Sequence, residues 1–385
     1  MSLYFSRDTK VFIKQGSNVF EIPVLDGFEF SQATNASEVT LNEARESSTS
    51  TKSRRSRRMF NDSYAPAEWS FSTYVRPIKS TVGGANDWEH ATFDRVHSVE
   101  EVLWANFVAN NSWSSGHASA TVGAWSNGVT SASTKTVVDW TGSEVSELGT
   151  FEIFFVMQTG TDKVYKIEKC CVNEATIDFD IDGIATIAWS GFGSKIVDNG
   201  STGVTATVNE GVTATNNFIR NRLTSLAITA ADTTNFPGAG SDGVYNTVLT
   251  GGSISFSNNI TFLTPETLGK VDAPIGHVTG TRNIGGNFTC YLDAASTGDV
   301  DDLFAHLVSK DRVVTNEFNL VFSVGGAGNS PRVEIKLPQC HLEIPTHSIE
   351  DVISLDVNFH GLSASLDPES TASNYEATLE YYPPA

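Results

Sequence analysis

Three acids, Asp178, Asp180 and Asp182, alternate with Phe179 and Ile181, so on an extended strand their carboxylates share one face. Such a row could hold Ca²⁺ or supply acid and base groups. The alternation is better explained by an exposed strand face kept soluble by charge and guarded against edge pairing. Cys170 and Cys340 lie in strand-like apolar patterns and read as buried thiols, because a nucleophilic cysteine needs a positioned histidine and an oxyanion site. His306 sits on an apolar helical stripe and reads as structural. GxSxG, HExxH and P-loop spacings do not occur. Gly325, Gly326 and Gly328 belong to a turn between strands, which geometry explains better than phosphate binding. The expectation is a chain with no catalytic residues, no cofactor and no metal.

Two other groups could make contacts. Lys52, Arg54, Arg55, Arg57 and Arg58 crowd into the polar stretch 42–63, which has no periodicity and reads as a long exposed loop or hairpin tip. Such a run could dock on an acidic face of a neighbouring subunit, stay solvated, touch nucleic acid or act as a targeting signal. Trp113, Trp125 and Trp140 stand in an insertion, 110–150, otherwise rich in Ser, Gly and Thr. They suggest packing on the same subunit, on the next one or on an outer partner.

The formal net charge of −20 argues against a protein that grips nucleic acid, since gripping relies on Lys and Arg neutralising phosphates. Like charge would suit a surface that DNA must slide past, and it also suits ordinary solubility. The first residues lack a secretory pattern, and no stretch reaches the roughly 18 apolar residues of a membrane span. The four cysteines include no CxxC pair and the eight histidines are scattered, which speaks against a zinc site or disulfide framework and fits assembly inside a reducing compartment.

The elements that carry these residues occur twice. Phe151, Ile153, Phe155 and Met157 match Phe318, Leu320, Phe322 and Val324; a turn follows, and then Ile167 matches Leu337, Cys170 Cys340, Trp189 Phe359 and Gly191 Gly361. Alternating runs around a Gly-rich turn predict a β-hairpin, and a third run adds a strand. Upstream, DGFEFSQAT matches TGGSISFSNNIT with Phe30 set against Phe256, and Trp69, Phe71, Thr73 and Val75 match Gly286, Phe288, Cys290 and Leu292. Each half also predicts one helix. Ser98 caps the first, with Val99, Val102, Leu103 and Phe107 as its stripe, and Asp299 caps the second, with Val300, Leu303, Phe304, Leu307 and Val308. Each stripe should pack on a sheet. The predicted organisation is a first domain at 1–197, a linker at 198–222 and a second domain at 223–385, mostly β with one helix per repeat.

With both copies laid out, the chain resembles bacteriophage tail tube proteins. The residues that carry the resemblance are VLDGFEFSQATNASEVTL, SVEEVLWANFV and the FEIFFV to AWSGF block, and in the second half VLTGGSISFSNNITFLTPETL, DVDDLFAHLV and FNLVFSV to NFHGL. The resemblance implies two tandem tail-tube-like β-sandwich or barrel domains. It implies a structural virion protein that stacks rings around a channel for DNA passage during genome delivery, with DNA crossing the lumen without specific binding. A tandem copy departs from single-domain members and implies homotrimeric rings of pseudo-sixfold symmetry. The implied partners are the chain itself and other tail proteins such as the tape measure, terminator, baseplate or tip and, where present, a sheath. The implied location is the virion tail, assembled in the host cytoplasm without a membrane. The Lys52 to Arg58 loop is then the candidate bridge between stacked rings. The competing reading is a β-sandwich virion adhesion or carbohydrate-binding module that stacks ligands on Trp113, Trp125 and Trp140.

Overall fold

The computed structural model describes residues 3–39, 44–47, 50–53, 57–80, 95–109, 111–114, 124–140, 148–159, 161–208, 212–230, 243–264, 274–294, 298–308, 318–326, 328–349, 351–363 and 376–384. Alternation gives strands throughout. In the first half these are β1 (Thr9–Gln15), β2 (Asn18–Ile22), β3 (Glu29–Val39), β4 (Arg58–Tyr74), β5 (Thr136–Asp139), β6 (Phe151–Met157), β7 (Lys163–Asp180), β8 (Thr186–Gly193) and β9 (Lys195–Asp198). In the second they are β10 (Ser225–Ala230), β11 (Val244–Asn246), β12 (Leu249–Ser257), β13 (Asn283–Tyr291), β14 (Phe318–Val324), β15 (Arg332–Leu342), β16 (Thr346–Ile349), β17 (Ile353–Gly361) and β18 (Thr378–Tyr382). Helices α1 (Glu101–Val108) and α2 (Val300–Leu307) fall one in each half.

In the first half, β2–β1–β6–β7–β9 form one antiparallel layer and β3–β4–β8–β7 another. The 18-residue β7 runs through both, turning where Lys169 takes a positive φ of 51° and where its register shifts between Val172 and Glu174. The layers meet through their inward side chains. Phe30 of β3 stacks on Phe155 of β6 at 4.4 Å, and Trp69 of β4 meets Phe151 edge-on at 6.1 Å. Burying each such ring contributes about 1.5–3 kcal/mol, which is what holds two polar-backed sheets face to face.

The second half follows the same pairing plan: β11–β10–β14–β15–β18 in one layer and β12–β13–β17 with β15 and β16 in the other. The central hairpins agree to the residue. Phe151 pairs with Cys170, the register shifts, and Ile153 pairs with Ile167; Phe318 pairs with Cys340, the register shifts, and Leu320 pairs with Leu337.

The next strands differ from the sequence match by two residues. Val172, two past Cys170, pairs with Gly191; Leu342, two past Cys340, pairs with Phe359 and not Gly361. Likewise Trp69 pairs with Phe30, while Gly286 pairs with Ile254 and not Phe256. A two-residue slide keeps every side chain on its own face, so periodicity cannot detect it. Packing explains it. In the first half the ring of Trp69 lies over Gly191, where a Cβ would come 2.5 Å from Trp69 Cζ2. In the second half Phe359 lies over Gly286, where a Cβ would come 3.0 Å from Phe359 Cζ. The same aromatic–glycine pair is present in both with its sides exchanged.

The halves are joined by strand pairing. Outer β7 pairs with β12, Ala175 opposite Phe256 and Ile177 opposite Ile254, and β5 pairs with the C-terminal β18. Every residue of α1 is buried between them, whereas only Val300, Leu303 and His306 of α2 are. Helix α2 starts after Asp299 as expected. Helix α1 starts at Glu101 rather than directly after Ser98, although the Glu101 carboxylate does accept the Ser98 N–H at 3.2 Å, as the spacing of the two residues predicts; it also accepts the Trp125 indole N–H at 2.7 Å. Described residues of the 198–222 stretch also pack: Val208 bridges Phe20, Ile219 is buried, and the Arg76 guanidinium donates to the Val212 and Ala214 carbonyls at 3.0 and 2.7 Å. Among the described residues no helix is long and apolar enough to cross a membrane.

Candidate functional surface

Strand pairing lays eight strands side by side in the order β3–β4–β8–β7–β12–β13–β17–β16. Directly paired residues share a face, so the outward side chains form rows across the sheet. One row runs Glu29, Ser70, Ser190, Glu174, Ser257 and Asn283. Another runs Tyr74, Thr186, Asp178, Ser253, Asn287 and Asn358. A third runs Asp180, Gly251, Thr289, Asp356 and Thr346. Although the chain has 25 Lys and Arg, none stands on these rows.

The polar groups on this face bond sideways. Ser255 Oγ donates to Glu174 at 3.2 Å, Ser253 Oγ to the Asn287 carbonyl oxygen at 3.0 Å, and Asn287 Nδ2 to Asp356 at 3.1 Å. Partial burial pushes the Asp178 carboxyl above its ordinary range. The other layer treats charge differently. Lys10 pairs with Glu21 at 3.0 Å, Lys166 with Glu168 at 2.6 Å, and Lys135 and Lys336 each with Glu380 at 2.8 Å. One surface is thus ion-paired, and the other is acidic with hydroxyl and amide neighbours. An acidic face whose strand rows carry no Lys or Arg repels phosphates instead of capturing them.

Asp178 and Asp180 lie on this face, while Asp182 is in the turn beyond β7, 3.5 Å from Arg222. No cluster of metal-ligating side chains occurs among the described residues. Burial raises the thiol pKa of both Cys170 and Cys340, away from nucleophilic use. His306 is buried and lies 2.6 Å from the Tyr245 hydroxyl.

The basic stretch lies at the end of a long hairpin. Beyond Gln32 and Ala67, β3 and β4 stay paired through two register shifts to Val39 and Arg58, leaving Val39, Met59 and Phe60 exposed. Seven residues of strand reach about 23 Å beyond the sheet. Arg57 donates twice to Glu38, at 2.6 and 2.7 Å, and both Arg57 and Arg58 are exposed. Further out, Ala44–Ser47 pairs with Ser50–Ser53, which sets Lys52 opposite Arg45 in the backbone ladder. Arg54 and Arg55 lie outside the described residues.

The three tryptophans are placed differently from an outer or inter-subunit packing role. Trp113, Trp125 and Trp140 are all buried in this chain's own core. Trp113 and Trp125 pack on Phe20, and Trp140 stacks on Phe256 at 5.5 Å. The aromatics of the insertion fill the space around α1, Trp125 bonding to Glu101 and Trp140 meeting Trp104 edge-on. A flat stacking surface for sugars is therefore not available from them. Trp113 and Trp125 face each other across a short two-strand pairing, and Trp140 follows β5, whose pairing with β18 joins residues far apart in sequence and leaves no local trace.

Two comparisons bear on this arrangement. A family model described as phage tail tube protein matches residues 30–361. The chain is also similar to the tail tube protein pb6 of Escherichia phage T5, 30% identical over 386 residues, an alignment that covers 95% of this chain and 74% of that protein.

Proposed function

Because the chain belongs to the phage tail tube protein family and so serves a structural role in the virion tail, we propose that its eight-strand acidic face lines the tube's channel. The observation that carries this is the exclusion of Lys and Arg from the outward rows of one layer in a chain that uses them freely on the other. DNA passing such a wall meets carboxylates, hydroxyls and amides along its rows and no Lys or Arg there, Arg222 beside Asp182 standing at the margin.

Chain halves at 1–197 and 223–385, joined through 198–222, act as two ring units. Three chains would bring 24 strands into a closed inner barrel, well beyond the about 16–18 strands at which barrels open into an aqueous channel. Such rings stack through the β3–β4 hairpin, whose basic end of Lys52, Arg54, Arg55, Arg57 and Arg58 meets acidic surface on the next ring. No catalytic step belongs to this role. Other tail proteins meet the tube at its two ends, at its wall and along its lumen.

The test uses Ser255→Cys at the centre of the acidic face. In assembled tubes a polymer-linked maleimide should be excluded from this site while a small maleimide reacts, and in dispersed chains both should react. Equal reaction of the bulky reagent with intact tubes would place the face outside. For the hairpin, reversing Arg54, Arg55, Arg57 and Arg58 to Glu should leave folded chains and rings without tubes in negative stain. Tubes of ordinary length would refute that contact.

A further inference from the structure

We propose that β16 of one chain pairs antiparallel with β3 of a second copy, with Thr346 opposite Ser31, His347 opposite Phe30, Ser348 opposite Glu29 and Ile349 opposite Phe28. This rests on the ring reading above and supplies the contact that closes the ring.

The chain contains the template for this contact. Within it, outer β7 pairs with β12, Asp178 opposite Ser253 and Phe179 opposite Gly252. Spacing from Cys170 and Cys340, whose hairpins agree to the residue, puts Ser348 in the place of Asp178 and Ile349 in the place of Phe179. The pairs Phe30–Trp69 and Ile254–Gly286 put Glu29 in the place of Ser253 and Phe28 in the place of Gly252. Transferring the internal register to the free edges yields the four pairs named.

Three observations support the transfer. First, among the described residues β3 pairs only with β4, and β16 only with β17, so the two outermost strands each keep one unpaired edge. Second, Phe179 is 3% exposed because the other half covers it, whereas Ile349 in the matching place is 79% exposed, and all four residues of β16 are exposed. An isoleucine so placed is an inward-facing residue whose cover is elsewhere. Third, the faces and charges agree. Ser348 and Glu29 both belong to the acidic face, and their pairing repeats the acid–serine opposition of Asp178 and Ser253 with the sides exchanged, so no two carboxylates are set opposite each other. Pro345, which has no N–H to donate, ends the pairing where the Gln32 side chain already bonds to Ser194 and Ile196.

The experiment is disulfide capture in the full chain, whose native cysteines are all buried. Glu29→Cys with Ser348→Cys is the matched pair, and Glu29→Cys with Thr346→Cys is displaced by two residues. After oxidation of assembled material, the matched pair should convert most of the chain into reducible covalent oligomers, and the displaced pair at least fivefold less. Rings or tubes in which the displaced pair links as well as or better than the matched one would overturn the register while leaving the ring reading intact. Failure of the unsubstituted chain to form any ring or tube would overturn the ring reading itself. Ile349→Lys gives an independent reading: the melting temperature of the single chain should not change, because the side chain is already solvated, and rings should disappear. Rings that persist in the Ile349→Lys chain would overturn the proposal.

Discussion

Replacing Gly191 by Ala adds one carbon at a site with no room for it. The new Cβ would lie within van der Waals exclusion of the Cys171 carbonyl oxygen and 2.5 Å from Trp69 Cζ2. Neither neighbour can yield cheaply, since one is backbone in β7 and the other is a buried ring pinned by its 3.3 Å hydrogen bond to the Phe192 carbonyl. Overpacking in cores costs about 1–3 kcal/mol, and a backbone neighbour puts Gly191→Ala at the upper end, about 3 kcal/mol. Trp69→Gly alone should cost at least the about 3–5 kcal/mol of a truncated buried aromatic. The second half places the ring on the other strand, so the double change Trp69→Gly with Gly191→Phe removes the clash with the Trp69 ring, though not the one with the Cys171 carbonyl, and sets a Phe opposite a Gly as Phe359 is opposite Gly286. Urea unfolding, followed by far-ultraviolet circular dichroism, measures the parent, Gly191→Ala, the two singles Trp69→Gly and Gly191→Phe, and the double variant. The double variant should lose less than the sum of the two singles by about 2–3 kcal/mol, the coupling expected of residues in contact. Strict additivity, or a Gly191→Ala chain as stable as the parent, would refute the claim that ring and glycine form one packing unit.

Three further outcomes are expected. Burial pushes the Glu100 carboxyl up to about 7 from 4.5. The folded chain then keeps a proton that the unfolded chain releases, so stability should fall by up to roughly 3 kcal/mol as pH rises from about 4.5 to 7, and Glu100→Gln should flatten that slope in thermal melts. Glu380 behaves oppositely: burial raises it, but hydrogen bonds from Lys135, Lys336 and Tyr382 outweigh burial and hold it down to about 2. Its contribution is present above the unfolded value and lost as pH falls toward 2, so Glu380→Gln should reduce the acid sensitivity of the melting temperature. Tyr381→Phe removes the acceptor of the buried Trp104 indole N–H, now bonded at 2.6 Å, and should cost about 1–3 kcal/mol by urea unfolding.

Alternation along Phe151–Met157 and Phe318–Val324 is enough to read both hairpins, because each strand buries one face and each turn is local. The following strands are legible in kind but not in register. Phe359 and Gly361 lie on the same strand two residues apart, and only the ring of Trp69 or Phe359 decides which of them faces the glycine. The acids at 178 and 180 are readable as an exposed face, but their membership in a wall whose rows carry no Lys or Arg needs eight strands brought into order by pairs such as Thr176 with Ser255. The tryptophans of the insertion escape sequence reasoning for a related reason. Local composition around Trp140 is polar, and what buries it, Phe256 with Trp104, comes from another part of the chain. The basic residues at 57 and 58 stand where expected, at the projecting end of β4.

The pairing of outer β7 with β12 has a kinetic consequence. Because both strands belong to one chain, that contact closes during folding, at a rate independent of concentration and against an effective local concentration set by the connecting segment. In the three-chain ring proposed above, three of the six joints would be complete before any two molecules meet, and dilution would not reopen them. Only the remaining three would depend on encounter, so fusing two units in one chain halves the number of contacts that subunit concentration must supply.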